Sequence, residues 1–258
     1  MKKLLLFLVF IIVLLPIFLL ACNINSGPSE TKQFSYTDFT NIQIGSPFEV
    51  EITPSDSYSI SVTAPEKVFQ YIKIEKDGNT LEASIDWGAA FWLNWGFKRP
   101  KILISMPELN ILDVSGASSV TAEGFKSSND FQLVLSGAST AAVDIEVNDI
   151  SMVVSGASHL NGHLLGHEVK LNVSGASNVD LSGTVNNMNL QVSGASSTPL
   201  DDLTVNDARI EVSGASRAVT AATGKLDVFL SGASTLEYTD SPMLGTIDVT
   251  GASTLKKK

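Results

Sequence analysis

The tetrapeptide Ser-Gly-Ala-Ser occurs seven times in this 258-residue chain, and an eighth copy reads Thr-Gly-Ala-Ser. The repeated glycines are Gly116, Gly137, Gly156, Gly175, Gly194, Gly214, Gly232 and Gly251, at intervals of 21, 19, 19, 19, 20, 18 and 19 residues. A period near 19 residues marks a solenoid, in which each repeat is one coil that buries its apolar face only against its neighbours. The repeats hold no site chemistry in common beyond their hydroxyls, so the pattern constrains shape and lowers the expectation of an enzyme.

Aligning the repeats on their glycine exposes the coil. Four residues before it stand Leu112, Leu133, Met152, Leu171, Leu190, Ile210, Val228 and Ile247. Two residues before it stand Val114, Leu135, Val154, Val173, Val192, Val212, Leu230 and Val249. Between these apolar columns lies a mixed one, Asp113, Val134, Val153, Asn172, Gln191, Glu211, Phe229 and Asp248. Such alternation is a strand with one buried face. It resumes after the motif, where Val120, Ala141, Leu160, Val179, Thr198, Ala218, Leu236 and Leu255 stand four residues past the glycine. Each coil of about 19 residues therefore holds two short strands joined by the Ser-Gly-Ala-Ser corner. Stacked at ~4.8 Å, the eight corners span about 34 Å. A helix is excluded, because no window shows a three-four apolar spacing and glycine would interrupt every one.

The corner has a physical reason. A sharp bend needs positive φ, which costs a residue with a side chain ~1–2 kcal/mol. Close stacking is expected to leave no room above alanine size on the inner side of the bend. The serine hydroxyls either bond local backbone and the neighbouring coil or form a regular array facing ice or a sugar surface. The bend position favours the first.

Residues 1–21 read as an export signal: Lys2 and Lys3, then an apolar run from Leu4 to Leu20 broken by Pro16. The run ends in Leu19-Leu20-Ala21-Cys22, which resembles a bacterial lipobox, and Cys22 is the sole cysteine. The competing reading is an uncleaved membrane helix at the short end of a spanning length. Lipidation of Cys22 would place diacylglyceryl or palmitate-type chains at the new N-terminus, and two chains make attachment stable. Without the leader's two lysines the formal charge moves from −10 to −12, a poor balance for binding nucleic acid. The polar stretch 22–33 is expected to be a flexible tether to a domain at 34–255.

Residues 34–107 alternate without the motif, in Ile42/Ile44, Phe48/Val50/Ile52, Tyr58/Ile60/Val62, Ile72/Ile74, Leu81/Ala83/Ile85 and Ile102/Ile104/Met106. Gly45-Ser46-Pro47, Pro54-Ser55-Asp56 and Asp77-Gly78-Asn79 are turn signals, and Pro65 to Tyr71 suits one helical turn. This irregular β half is expected to add larger coils or a cap to the regular half at 108–255. The patterns Phe39-x-x-Ile42-x-Ile44, Phe48-x-Val50-x-Ile52, Ile60-x-Val62-x-Ala64, Leu81-x-Ala83 and Ile102-x-Ile104-x-Met106-Pro107-x-Leu109 precede the string of glycine corners. Together they resemble the bacterial family called putative auto-transporter adhesin, head GIN domain. The family's corners often read Gly-Ser-Gly; here they read Ser-Gly-Ala-Ser. The resemblance implies a pectin-lyase-like right-handed parallel β-helix without catalytic residues or cofactor, and a role in surface adhesion.

Three groups of residues invite a site. Trp87, Phe91, Trp92, Trp95 and Phe97 put five aromatics into eleven residues. Such a segment either caps an open coil or contacts a glycan, a protein partner or a membrane interface; Lys98 and Arg99 beside it would suit acidic groups. His159, His163 and His167 are spaced by four, but on a strand such positions are ~13 Å apart, so a surface cluster without metal is expected. Asp201-Asp202 suggests the carboxylate pair of a polysaccharide-cleaving enzyme, yet neighbours on a strand point to opposite faces, so the pair needs a loop. Other acids (Asp113, Asp144, Glu146, Asp149, Asp180, Glu211, Asp227, Asp248) are scattered on outward columns. Lys256, Lys257 and Lys258 are expected to blunt the exposed edge of the last coil.

The chain thus reads as an all-β, lipid-anchored envelope or surface module, non-catalytic, binding a glycan or protein. A structural or envelope-signalling lipoprotein without soluble ligand is the alternative, and a polysaccharide-active enzyme a more distant one. Oligomeric state is open.

Overall fold

The computed structural model describes residues 28–86 and 98–258. Twenty strands build a two-walled β-solenoid of about eight regular coils, with one 3-10 turn at Phe69–Tyr71. The regular half runs through β8 (Ile111–Val114), β9 (Ser119–Lys126), β10 (Phe131–Leu135), β11 (Thr140–Glu146) and β12 (Asp149–Val154). It continues through β13 (His159–Val173), β14 (Asn178–Val192) and β15 (Ser197–Val212). The last coils comprise β16 (Arg217–Ala222), β17 (Lys225–Leu230), β18 (Thr235–Thr239), β19 (Met243–Val249) and β20 (Thr254–Lys257).

Strands that precede a corner stack in parallel into one wall, with Leu133 beside Leu112 and Met152, and Leu171 beside Leu190. Strands that follow a corner stack into the second wall, with Ala141 beside Val120 and Leu160. In the central coils the two halves run into each other, so that β13, β14 and β15 each contribute to both walls. Both apolar columns point between the walls. From Leu112 to Leu230 every member of them is at most 2 % exposed.

The corner glycines adopt φ between +71° and +78°. A Cβ on Gly156, Gly175, Gly194, Gly214, Gly232 or Gly251 would collide with the carbonyl oxygen of the corner glycine one coil earlier. That same oxygen accepts the N–H of the following alanine, as in Ala176 N–H to Gly156 O at 2.8 Å and Ala195 N–H to Gly175 O at 2.8 Å. The ladder therefore passes through the bend without interruption. The expected crowding on the inner side of the bend is corrected here. Glycine and alanine lie on its outer side, and coil-to-coil approach is what excludes a side chain. The residue that turns inward is the second serine: Ser118, Ser139, Ser158, Ser177, Ser196, Ser216 and Ser234 are buried. Its hydroxyl closes the corner, from Ser158 to Ser155 O at 2.7 Å and from Ser177 to Ser174 O at 2.9 Å, or reaches the adjacent coil, from Ser216 to Gly194 O at 3.2 Å. Buried in this way, that serine column cannot present an array to solvent.

A second turn closes each coil on the far side, built on a column eight residues before the glycine: Asn129, Asn148, His167, Asn186 and Asn206. The backbone of His167 donates to Asn148 O at 2.7 Å, and that of Gly224 to Asn206 O at 2.7 Å. The Asp207 side chain accepts from the Lys225 backbone at 2.7 Å.

The N-terminal half is continuous with the solenoid but wound out of order. It holds β1 (Ser29–Phe34), β2 (Asn41–Ile44), β3 (Glu49–Pro54), β4 (Ser59–Pro65), β5 (Ile72–Asp77), β6 (Thr80–Ile85) and β7 (Lys101–Met106). β2 and β3 form a coil whose Gly45-Ser46-Pro47 bend sits on the Gly116 corner, with Ile44 beside Val114 and Val50 beside Val120. β6 and β7 form the next coil outward, parallel to β2 and β3. β4 and β5 then run backwards across that coil, antiparallel to β7 and β6, with the expected short helical turn at their bend. β1 adds antiparallel to β4, so a paired strand takes up residues 29–33 of the expected tether. This reversed layer closes the end of the core with Ile60, Val62, Val68 and Phe69, all buried.

Candidate functional site

The aromatic segment enters the fold at a defined place. Every regular coil turns its first corner in four residues. In the β6–β7 coil the described residues on either side of that corner position are Asp86 and Lys98, next to the capped end. Both roots are fixed. The Asp86 N–H donates to Tyr71 O at 2.8 Å and its carboxylate lies 3.3 Å from Lys73. Pro100 O accepts from the Glu49 N–H at 2.9 Å, and Lys98 and Arg99 are exposed. Trp87, Phe91, Trp92, Trp95 and Phe97 lie outside the described residues, as does Cys22.

The outer face of the pre-corner wall carries a shallow trough of about 370 Å³ near the other end, bounded by Asn172, Gln191, Glu211, Phe229 and Asp248 and by the first-serine column. Arg209 engages two of its lining residues. Its guanidinium stacks on the Phe229 ring at 4.1 Å and pairs with Glu211 at 2.6 Å. Asp113, in the same outward column beside Gln43 and Val134, has its carboxyl pushed up by burial. The trough is open and its lining is more polar than apolar.

The structure separates most residues that looked groupable. His159 and His163 project from β13 toward the next coil, with His159 Nδ1 3.1 Å from Asn178 Nδ2 and His163 Nδ1 3.2 Å from Ser182 Oγ. His167 belongs to the second turn and lies 3.4 Å from Asp149. No three His, Cys, Asp or Glu residues among those described are grouped to hold a metal ion. Asp201 and Asp202 sit in β15 where its register against β16 shifts between Leu200 and Thr204. Asp201 is engaged by Lys258 at 2.6 Å, and that hydrogen bond lowers its carboxyl pKa. Asp202 is exposed and the two do not converge on a cleft. Neither nearby arginine serves them, since Arg209 is on Phe229 and Arg217 is on Glu237.

Glu237 was the acid that sequence reasoning passed over. Its side chain is only 5 % exposed on the outer face of β18, between Arg217 at 2.7 Å and Lys256 at 3.0 Å. The hydrogen bond from Lys256, with the Arg217 charge adding to it, holds its carboxyl below the usual carboxylate value. Arg217, Glu237 and Lys256 stand about one coil apart in sequence, and reading charges across coils would have found the trio.

A two-walled solenoid with closed turns and an open polar trough defines a class of rod-like β proteins. The chain belongs to the putative auto-transporter adhesin, head GIN domain family, whose model matches residues 38–242. Among solved structures it is similar to one described as a putative lipid binding protein from Parabacteroides distasonis, with 20 % identity, 90 % of this chain and 97 % of that one covered, and a TM-score of 0.80. Structures described as putative adhesins from Parabacteroides distasonis and Parabacteroides merdae share 16 % identity each, with TM-scores of 0.73 and 0.74; they cover 90 % of this chain and 98 % and 97 % of their own. At these identities the likeness shows the fold. No curated protein matches the chain.

Proposed function

We propose that this protein is a non-catalytic, extracytoplasmic binding module of adhesin type, anchored to a bacterial membrane by lipid on Cys22 and recognising a glycan or protein partner through its aromatic insertion. The observation that carries this reading is the position of that insertion. In sequence, residues 86–100 stand between β6 and β7 where each regular coil has four residues between its strands. Insertions on one face of a repeat array are where such arrays bind. The segment concentrates all three tryptophans of the chain, side chains that give large contact area with a polar edge. Family membership and the adhesin descriptions of similarly folded proteins support a binding role over catalysis, as does the dispersal of the carboxylates.

The anchor supports the same reading. The lipobox-like Leu19-Leu20-Ala21-Cys22 stands seven residues before β1, which pairs into the reversed layer at the end bearing the insertion. The structure described as a putative lipid binding protein favours a second reading, in which the tryptophans and Lys98-Arg99 rest on lipid headgroups. The test is binding of residues 23–258 to a panel of glycans, cell-wall polymers and anionic vesicles, beside a Trp87/Trp92/Trp95→Ala variant shown to be folded. Saturable binding lost in the variant supports the module, and the responding panel member separates the two readings. Equal binding by both proteins sinks the assignment to this segment. Loss of fatty-acid labelling in Cys22→Ser tests the anchor.

A further inference from the structure

We propose that the C-terminal end of the solenoid is the interface of a two-fold dimer, in which β19 of each copy pairs antiparallel with β20 of the other. The motivating contrast lies within single columns. Leu226, Val228 and Leu230 are 0–2 % exposed, whereas the residues beneath them in register, Leu244, Ile247 and Val249, are 47, 40 and 40 % exposed. These side chains point between the walls like all their column mates, but among the described residues no coil lies below them. β19 is hydrogen-bonded only to β17 and β20 only to β18 among the described residues, leaving one ladder edge open on each wall. The three lysines expected to blunt that edge stay exposed at this end and also make contacts within the chain. Lys256 turns back to Glu237, Lys257 to Ser241 Oγ at 3.0 Å and Lys258 to Asp201.

Geometry and charge select a second copy as the occupant. The opposite end is closed by the reversed β4–β5 layer, so head-to-tail stacking into a filament has no matching parallel edge. End-on-end contact superposes both arms of the last coil only about a two-fold axis through the Gly251 corner. That operation lays β19 on β20 and closes the assembly at two copies. In the register that keeps inward side chains inward, Ile247 faces Leu255, Asp248 faces Thr254, and Lys256 is the diagonal neighbour of Asp248, within reach of a long side chain. The charges then complement. Asp248 is exposed and has no ion pair among the described residues, while Arg217 and Lys256 share the single carboxylate of Glu237. Setting β20 on β20 instead would face like charges across the seam.

The test uses the full chain in detergent micelles with Cys22→Ser, which leaves it without thiols, and Asp248→Cys with Thr254→Cys added. Directly opposed positions of an antiparallel pair bring Cβ atoms to ~4.5–5.5 Å, close enough for a disulfide after slight adjustment. Expected under mild oxidation is a reducible covalent dimer as the main product, reduced at least about tenfold by adding Ile247→Lys. Ile247 is 40 % exposed in the single chain, so that variant should stay folded, with an unchanged far-ultraviolet circular dichroism spectrum, and lose only the part of its thermal stability that dimerisation adds. Asp248→Lys in the otherwise unmodified chain, on the outer face and away from the core, should likewise shift sedimentation toward monomer. No cross-link, a cross-link that survives Ile247→Lys, or equal cross-linking through a mid-solenoid Asp180→Cys overturns the proposal.

Discussion

The two ends of this solenoid meet the same physical problem and answer it differently. A stack of coils always finishes with an apolar cross-section and two open strand edges. At the N-terminal end the chain turns back on itself: β4 and β5 reverse direction, the turn at Phe69–Tyr71 closes the bend, and Val62, Val68 and Phe69 seal the core. At the C-terminal end no reversal occurs among the described residues, and Leu244, Ile247 and Val249 are left in partial contact with water. Regular repeats are sufficient to propagate a core but not to end one; ending it takes a segment that breaks the repeat.

Five substitutions sharpen this contrast. The largest effect is expected for Val62→Asp, which buries an unpaired charge in the fully covered cap and should cost more than about 4 kcal/mol. Ile247→Asp, in an equivalent inward column at the open end, should leave the melting temperature of the monomer nearly unchanged. Equal losses at the two sites would show that the open end is covered in solution. Next comes Leu171→Ala in a central coil, expected to cost ~2–5 kcal/mol in denaturant unfolding, against less than about 1 kcal/mol for Val249→Ala. In the monomeric Ile247→Lys variant, hydrogen exchange should show the same order, with β19 and β20 exchanging before β13 and β14. Gly175→Ala should lose roughly 1–2 kcal/mol from its positive φ alone, and more from the collision with Gly156 O. A neutral result would mean that coils can separate locally at no cost.

The smallest effect concerns acid. Because the Glu237 pKa is lowered on folding, the stability it contributes is fully present above its unfolded value, near 4.3, and is lost as pH falls through the folded value. Glu237→Gln should therefore flatten the acid limb of the stability profile and lower stability at neutral pH. A profile identical to that of the unsubstituted protein would remove the trio of Arg217, Glu237 and Lys256 from the account of how the last coils are held.

The regular half was legible because each corner repeats one constraint eight times, and a column of identical residues identifies itself. The second turn was equally present in sequence as the asparagine column. Intervals of 18 to 21 residues blur any column counted far from the glycine, and His167 in place of asparagine hides it further. The N-terminal winding left no such trace. β2 lies beside β8, seventy positions later in register, from Ile44 to Val114, and a pairing made once cannot be read as a period. For the same reason the aromatic segment was visible as composition but not as an occupied corner. Asp201-Asp202 misled because adjacent carboxylates look like chemistry; the lysine that engages one of them comes from β20's end, three coils away.

The orientation of the strands has a mechanical consequence. They lie across the long axis, and the backbone hydrogen bonds between coils run along it, as in the Ala176 to Gly156 contact at 2.8 Å. A pull from one end to the other therefore loads those bonds in tension, one layer after another, and not in shear across many at once. Coils should peel away singly. Each coil of about 19 residues would release roughly 60 Å of chain as it goes. Under stretching the molecule should thus behave as a sequence of small yielding steps, extending many times its resting length before the last coil gives way.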